Sequence, residues 1–189
     1  MERFRGRADL ELDEVGIKQA QAAAERIAEE WKISAIYSSP LRRTLNTAEI
    51  IAQRQGLEVK PLPGIIDIDY GEWQGLSPEE AAAKDNALYT AWMNKPHTVK
   101  FPGGESLTEI RERANTAVKE LVQHSEGTIA LVSHKVVCHI LVLNFLGLDN
   151  SHFWQIVQDV TAVNLFEIRD GIPSALLIND TCHLKGLEV

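Results

Sequence analysis

Two stretches decide the fold of this chain: IYSSPLRRT, residues 36–44, and LVSHKVV, residues 131–137. Each runs from a short apolar segment through one or two polar residues into helical spacing. In the first, a strand ends at Ser38-Ser39 and a helix opens with Arg42 and Arg43 in its first turn. Ser39-Pro40 predicts an N-cap followed by proline at the first helical position. In the second, a strand ends at Ser133 and a helix begins at His134. In open α/β sheets, ligands bind beyond the carboxyl ends of the strands. Helix N-termini there present free N–H groups and favour anions. An arginine and a histidine at two such junctions could converge on one phosphate-sized anion, because the guanidinium fork matches phosphoryl oxygens. Each residue also has a plainer reading. The arginines can be a solvated helix start, although cations there oppose the helix dipole. His134 can be a satisfied structural histidine.

The neighbouring segments extend the same layered pattern. Asp13 precedes an amphipathic helix with its stripe at Ala20, Ala24, Ile27 and Trp31. AIYSS, from Ala35, reads as a buried strand, and Leu41, Leu45, Ala48 and Ala52 continue a helical stripe that Gly56 stops. LEVKPLPG supplies a second strand. Residues 64–75 read as a loop carrying Asp67, Asp69 and Glu72; a pocketed acid there could donate a proton, and the alternative is a solvated acidic loop. Residues 77–104 break the alternation and are expected to form a small cap inserted within a single domain spanning 1–189. A capping box at Ser106–Glu109 opens the next helix, with Leu107, Ile110, Ala114, Ala117 and Leu121 on its buried face. TIALVS is an apolar strand, a helix runs from His134 to Gly147, and an Asp170-Gly171 turn closes a C-terminal hairpin. The expected fold class is therefore α/β, a three-layer sandwich with a mostly parallel sheet.

Composition narrows the function. A net charge of -8 argues against nucleic acid as a partner, while leaving room for a small basic pocket. Cys138 and Cys182 form neither a disulfide framework nor a CxxC pair. His134, Cys138 and His139 raise a metal site, since i and i+4 share a helix face, but no carboxylate or second cysteine lies nearby in sequence to complete it. With no apolar leader and no stretch of membrane-span length, a cytoplasmic protein without membrane partners is expected.

Taken together, YSSPLRRTLNTAE, IDIDYGEWQGL, FPGGESL, LVSHKVV and NDTCHL resemble the successive motifs of the histidine phosphatase superfamily, in its phosphoglycerate-mutase-like branch. The resemblance covers about Arg3 to Leu184. It implies that a histidine attacks phosphorus, an acid protonates the leaving alcohol, and water then releases phosphate, with no metal or cofactor required. By position, Arg43 resembles the phosphate-binding arginine, and Arg42 falls on a variable position. His134 resembles the second histidine, which contacts the phosphoryl group rather than attacking it. Asp67 stands where the family usually carries a glutamate proton donor. Lys135, where glycine is frequent, could add a phosphate or substrate contact. Glu105 is expected to order the site or its cap, and Arg3, with Arg5 and Arg7, to sit near the phosphate mouth. Trp92, Lys95, His97 and Lys100 are the cap residues that could select the substrate.

The resemblance departs from the family at the front. Arg-His-Gly, the motif of the attacking histidine, occurs nowhere in the chain. The first strand of the family fold is expected to be missing, a loss of about 15–20 residues. The first expectation is a phosphatase of a small phosphate monoester, truncated and weak or inactive in this form. Two alternatives stand beside it: a non-catalytic phosphate-ester binding or interaction protein, and a phosphoglycerate mutase. Unpaired strand edges predict a homodimer or a strand-swapped arrangement that covers the exposed sheet interior.

Overall fold

Asp13 opens the first helix as its position predicts, its Oδ1 accepting the Gly16 N–H at 2.8 Å. The computed structural model describes residues 3–124 and 126–187. From that cap the chain runs α1 (Glu14–Glu30), β1 (Ile33–Ser38), α2 (Arg42–Gln55) and β2 (Val59–Pro61). It continues through α3 (Pro78–Lys84), α4 (Asn86–Asn94), α5 (Leu107–His124), β3 (Thr128–Val132) and α6 (Lys135–Phe145), and ends with β4 (Val163–Arg169) and β5 (Ile172–Asp180). Trp31, expected on the α1 stripe, instead caps the helix in extended backbone, with the Arg26 guanidinium 5.4 Å from its ring centre.

Three layers follow from how the apolar stripes divide. Ala24 of α1 and Ala48, Ile51 and Ala52 of α2 cluster with Ile33 and Ile36 of β1 on one side of the sheet. On the other, Leu107, Ile110 and Ala114 of α5 pack with Val137, Ile140 and Leu143 of α6. Strand β3 feeds both sides by alternation, Ala130 and Val132 to the first cluster and Leu131 to the second.

The sheet is parallel but interrupted. β1 lies between β2 and β3, with Ile36 opposite Val59 and Tyr37 opposite Leu131. β4 and β5 form a separate antiparallel hairpin. Its two-residue turn places both Asp170 and Gly171 at positive φ, the geometry that matches strand twist. Among the described residues no strand pairing joins β3 to the hairpin, so each keeps an open edge. The hairpin is held by the flanking helices instead. Phe166 meets Phe145 of α6 at 4.9 Å, and Asp180 pairs with Arg26 of α1 at 2.9 Å. Ile129–Val132 of β3 are consequently only half-buried, although their sequence suits a fully covered strand.

Two further expectations need correction. Helix α2 starts at Arg42 with Leu41 as its cap, not at Ser39-Pro40. Ser39 stays extended because its N–H donates to the Val132 carbonyl at 3.0 Å, and the Arg42 N–H is capped by Asp9 Oδ1 at 2.7 Å. The segment from Ser77, where sequence suggests a single short helical piece running into an aperiodic stretch, holds two helices. Asp85 ends α3 and caps α4, accepting the Leu88 N–H at 2.9 Å.

Residues 64–75 are not a solvated loop. Ile65, Ile68 and Trp73 are fully buried, and two 3-10 turns bracket Asp67. This segment crosses residues 102–104 so closely that no side chain fits between them. A Cβ on Gly71, at φ 52°, would lie 2.1 Å from the Pro102 carbonyl oxygen, and one on Gly104 would lie 2.3 Å from that of Asp69.

Candidate active site

Parallel pairing brings the carboxyl ends of β1 and β3 side by side, and with them the two junctions read from sequence. His134 caps α6 with extended backbone, and its Nε2 lies 2.7 Å from Ser39 Oγ. Its side chain is 4% exposed. Burial, reinforced by the positive charges of Arg43 and Arg113, pushes the imidazole down to about 3, so it is neutral at physiological pH.

Asp67 reaches the same point from the loop after β2. Its Oδ2 lies 2.9 Å from Arg43 Nη2 and 3.6 Å from His134 Nδ1, while Oδ1 accepts the Ile68 N–H at 2.9 Å. Burial raises this carboxyl to about 6, against the opposing pull of Arg43. Arg43 also donates to the carbonyls of Ala8 at 2.7 Å and Gly6 at 2.8 Å, tying the N-terminal loop to the same spot. The structure therefore brings Arg43, Asp67 and His134 together.

A second ring of charges supports the Asp67 loop. Arg113 of α5 donates to the carbonyls of Gly64 at 2.9 Å and Asp67 at 3.2 Å. The same guanidinium holds both Glu105 oxygens, at 2.9 and 3.1 Å. Glu105 also accepts the Asp69 N–H at 2.9 Å and pairs with Arg7 at 3.1 Å. One half-buried carboxylate thus joins the loop, the N-terminal segment and α5. Sequence reading missed Arg113, although a cation beside Ile110 and Ala114 on an apolar stripe was a usable signal. It also missed Ser39 as the partner of His134, which no local pattern announces.

The remaining candidates lie elsewhere. Lys135 is exposed at the start of α6, next to His134. Arg3 donates to the Gly75 carbonyl at 2.7 Å and pairs with Glu80 at 3.1 Å. Arg42 pairs with Asp9 and Glu11 on the surface, so carboxylates of this chain supply the anion its helix end favours. Glu72 pairs with Lys84, and Asp69 lies 3.5 Å from Arg7. Trp92 is buried among aromatic rings, Lys100 pairs with Glu109, and Lys95 and His97 are exposed. Both ring nitrogens of His139 face backbone carbonyls, of Lys135 at 3.0 Å and Ile156 at 2.7 Å. Among the described residues, no group of three or more His, Cys, Asp or Glu could hold a metal ion.

The same architecture recurs in known proteins. Phosphoserine phosphatase 1 of Hydrogenobacter thermophilus is 37% identical over 188 residues, covering 99% of this chain and 89% of that one. The solved structure of YhfR from Bacillus stearothermophilus superposes with a TM-score of 0.91 at 28% identity, over 97% of this chain and 91% of the other. A mycobacterial glucosyl-3-phosphoglycerate phosphatase in complex with inorganic phosphate superposes with a TM-score of 0.88 at 26% identity, over 96% and 93%. The profile of histidine phosphatase superfamily branch 1 matches residues 1–181. A chain matched along nearly its whole length, with that superfamily's fold, belongs to the histidine phosphatase superfamily.

Proposed function

We propose that the chain is a phosphatase-type protein that seats the phosphoryl group of a small phosphate monoester against Arg43 and His134, with Asp67 beside the ester oxygen. The observation that carries this reading is that the shielded Asp67 carboxylate lies 2.9 Å from Arg43 and 3.6 Å from His134. Arg43 supplies positive charge to the phosphoryl oxygens. His134, neutral and fixed by Ser39, offers a ring nitrogen without repelling Arg43. In the full reaction, a histidine nitrogen bonds to phosphorus as the ester P–O bond breaks. The leaving oxygen takes the Asp67 proton, and water then cleaves the phosphohistidine. A carboxyl raised to about 6 holds that proton below about pH 6. Relatives named as phosphatases support hydrolysis over mutase chemistry. Residues 77–104 act as the cap in this reading, and a reducing cytoplasm suits its two free cysteines.

Of the six histidines, only His134 lies in the site, and by resemblance its role is contact rather than attack. Loss of the nucleophile in a covalent mechanism costs about 10⁶ in kcat. The purified 189-residue chain is therefore expected to bind inorganic phosphate yet show no sustained hydrolysis of phosphate esters and no phosphohistidine signal by phosphorus NMR. Robust turnover would overturn the contact role given to His134 and leave it as the attacking histidine. A second reading, a phosphate-ester binding protein without catalysis, stands beside it. An in-frame Arg-His-Gly in the DNA upstream of the Met1 codon supports the enzyme, and a stop codon there supports the binding protein.

Assembly belongs to the same proposal. The open edges of β3 and β4 leave backbone groups free to pair, and Ile172, Leu176 and Ile178 of the hairpin are exposed. These features support a homodimer in which one copy supplies a strand to the other. Sedimentation is expected to show a dimer at micromolar concentration, whereas a well-ordered monomer would exclude it.

A further inference from the structure

Beyond the phosphoryl site lies a cavity of about 270 Å³, walled by the next residues along the two elements that carry Asp67 and His134. Tyr70 follows Asp67 on its loop, and Lys135 and Val136 follow His134 on α6. The rest of the wall is largely aromatic. Phe4, Tyr70, Tyr89, Trp92, Phe153 and Trp154 all face it. The rings brace one another edge-on, with Trp92 5.5 Å from Trp154 and 6.3 Å from Tyr70. Trp154 is fixed further by its indole N–H, which donates to the Trp92 carbonyl at 2.9 Å. At the mouth, Trp154 and Met93 remain 43% and 48% exposed, an apolar rim open to solvent.

Charge decides what such a wall accepts. Aromatic faces suit either a cation or another apolar ring. Here the charged residues lining the cavity are both basic, Arg3 and Lys135, and no aspartate or glutamate lines it. Among the described residues Lys135 has no ion-pair partner. His139 adds no negative charge, both its nitrogens being turned to backbone carbonyls. Arg3 is already paired with Glu80 at 3.1 Å, so an ammonium group entering this space would face the unpaired Lys135 and no free carboxylate on the wall.

We propose that the cavity selects phosphate monoesters whose alcohol half is apolar or aromatic and bears no positive charge. O-Phosphoserine, with its α-ammonium group, is then a poor ligand even though a relative is named for it. This assignment rests on the phosphoryl site described above, with the ester oxygen turned toward Tyr70 and Lys135.

Calorimetric titration of the purified chain separates the two ideas. 1-Naphthyl phosphate is expected to bind at least about tenfold more tightly than O-phosphoserine, since a buried ring removes apolar surface from water. Met93→Glu, which brings a carboxylate to the exposed rim, should lower the affinity for naphthyl phosphate relative to inorganic phosphate by about tenfold. Trp154→Ala should shift that ratio in the same direction by removing a wall. Equal binding of naphthyl phosphate and phosphoserine, with inorganic phosphate still bound, overturns the cavity assignment and leaves the phosphoryl site standing. Failure of inorganic phosphate to bind overturns the phosphoryl site instead. In that case 1-naphthalenesulfonate, an aromatic anion without phosphorus, reports the cavity's preference separately.

Discussion

Arg43→Ala is expected to destabilise the protein by about 3–5 kcal/mol and to remove measurable binding of inorganic phosphate. The side chains of Arg43 and Asp67 are only 15% and 12% exposed, so the pair is well shielded from water. Truncation leaves the Asp67 carboxylate with the Ile68 N–H and a 3.6 Å approach to His134. It also strips a donor from the carbonyls of Gly6 and Ala8, releasing the N-terminal loop. Arg43→Lys should fall between the two, because one ammonium group cannot reproduce the planar fork that meets three acceptors. Adding Asp67→Asn to Arg43→Ala should recover part of the loss, since no buried charge then lacks a partner. Urea unfolding at pH 7.5 measures all four proteins. A loss below about 1 kcal/mol for Arg43→Ala would show that the ion pair does not hold the site together.

Titration of the same cluster should produce opposite pH slopes in two variants. Asp67 carries a raised value, about 6 against 3.8, so the folded protein binds this proton more tightly than the unfolded chain. Its contribution is greatest below about pH 4 and is lost as pH rises through 6, by about 3 kcal/mol in total. His134 behaves in the reverse sense. Its value falls from 6.5 to about 3, so stability present above 6.5 is lost on acidification toward 3. Between about pH 4 and 6 the two slopes oppose each other, and the wild type should show little net dependence from this pair. Asp67→Asn leaves the His134 slope uncancelled. Its stability should rise with pH in that window by about 1.4 kcal/mol per unit relative to wild type. His134→Asn should fall by a similar amount per unit. Glu109, Asp149 and Asp180, each held at about 2, titrate alike in all three proteins and drop out of the comparison. Denaturant midpoints across this range test the prediction, and parallel curves for the three proteins would refute it.

Much of the fold is legible because its signals are local. Asp13, the Ser106–Glu109 capping box, Gly56 and the Asp170-Gly171 turn each act on backbone within a few residues. Helix stripes and the apolar run at 128–132 report layer and face for the same reason. Where a distant partner competes, local reading fails. Ser39 looks like a helix cap, but Val132 claims its N–H and His134 its hydroxyl, so α2 starts later.

The candidate site divides along the same line. Residue type and junction position mark Arg43 and His134 on the chain itself. The chemistry of Asp67 is a tertiary property, because an aspartate in a loop titrates near its ordinary value until something buries it. Arg7 and Arg113, more than a hundred residues apart in the chain, meet through Glu105. The sequence by itself determined the order of strands and helices, the caps made by local side chains such as Asp13 and Ser106, and the two junctions where an anion can bind. Only the tertiary structure decided which strands carry the open edges, β3 and the hairpin, and that Asp67 lies buried against Arg43. Those outcomes depend on contacts between residues far apart in the chain, whose burial and pairing energies no local pattern carries.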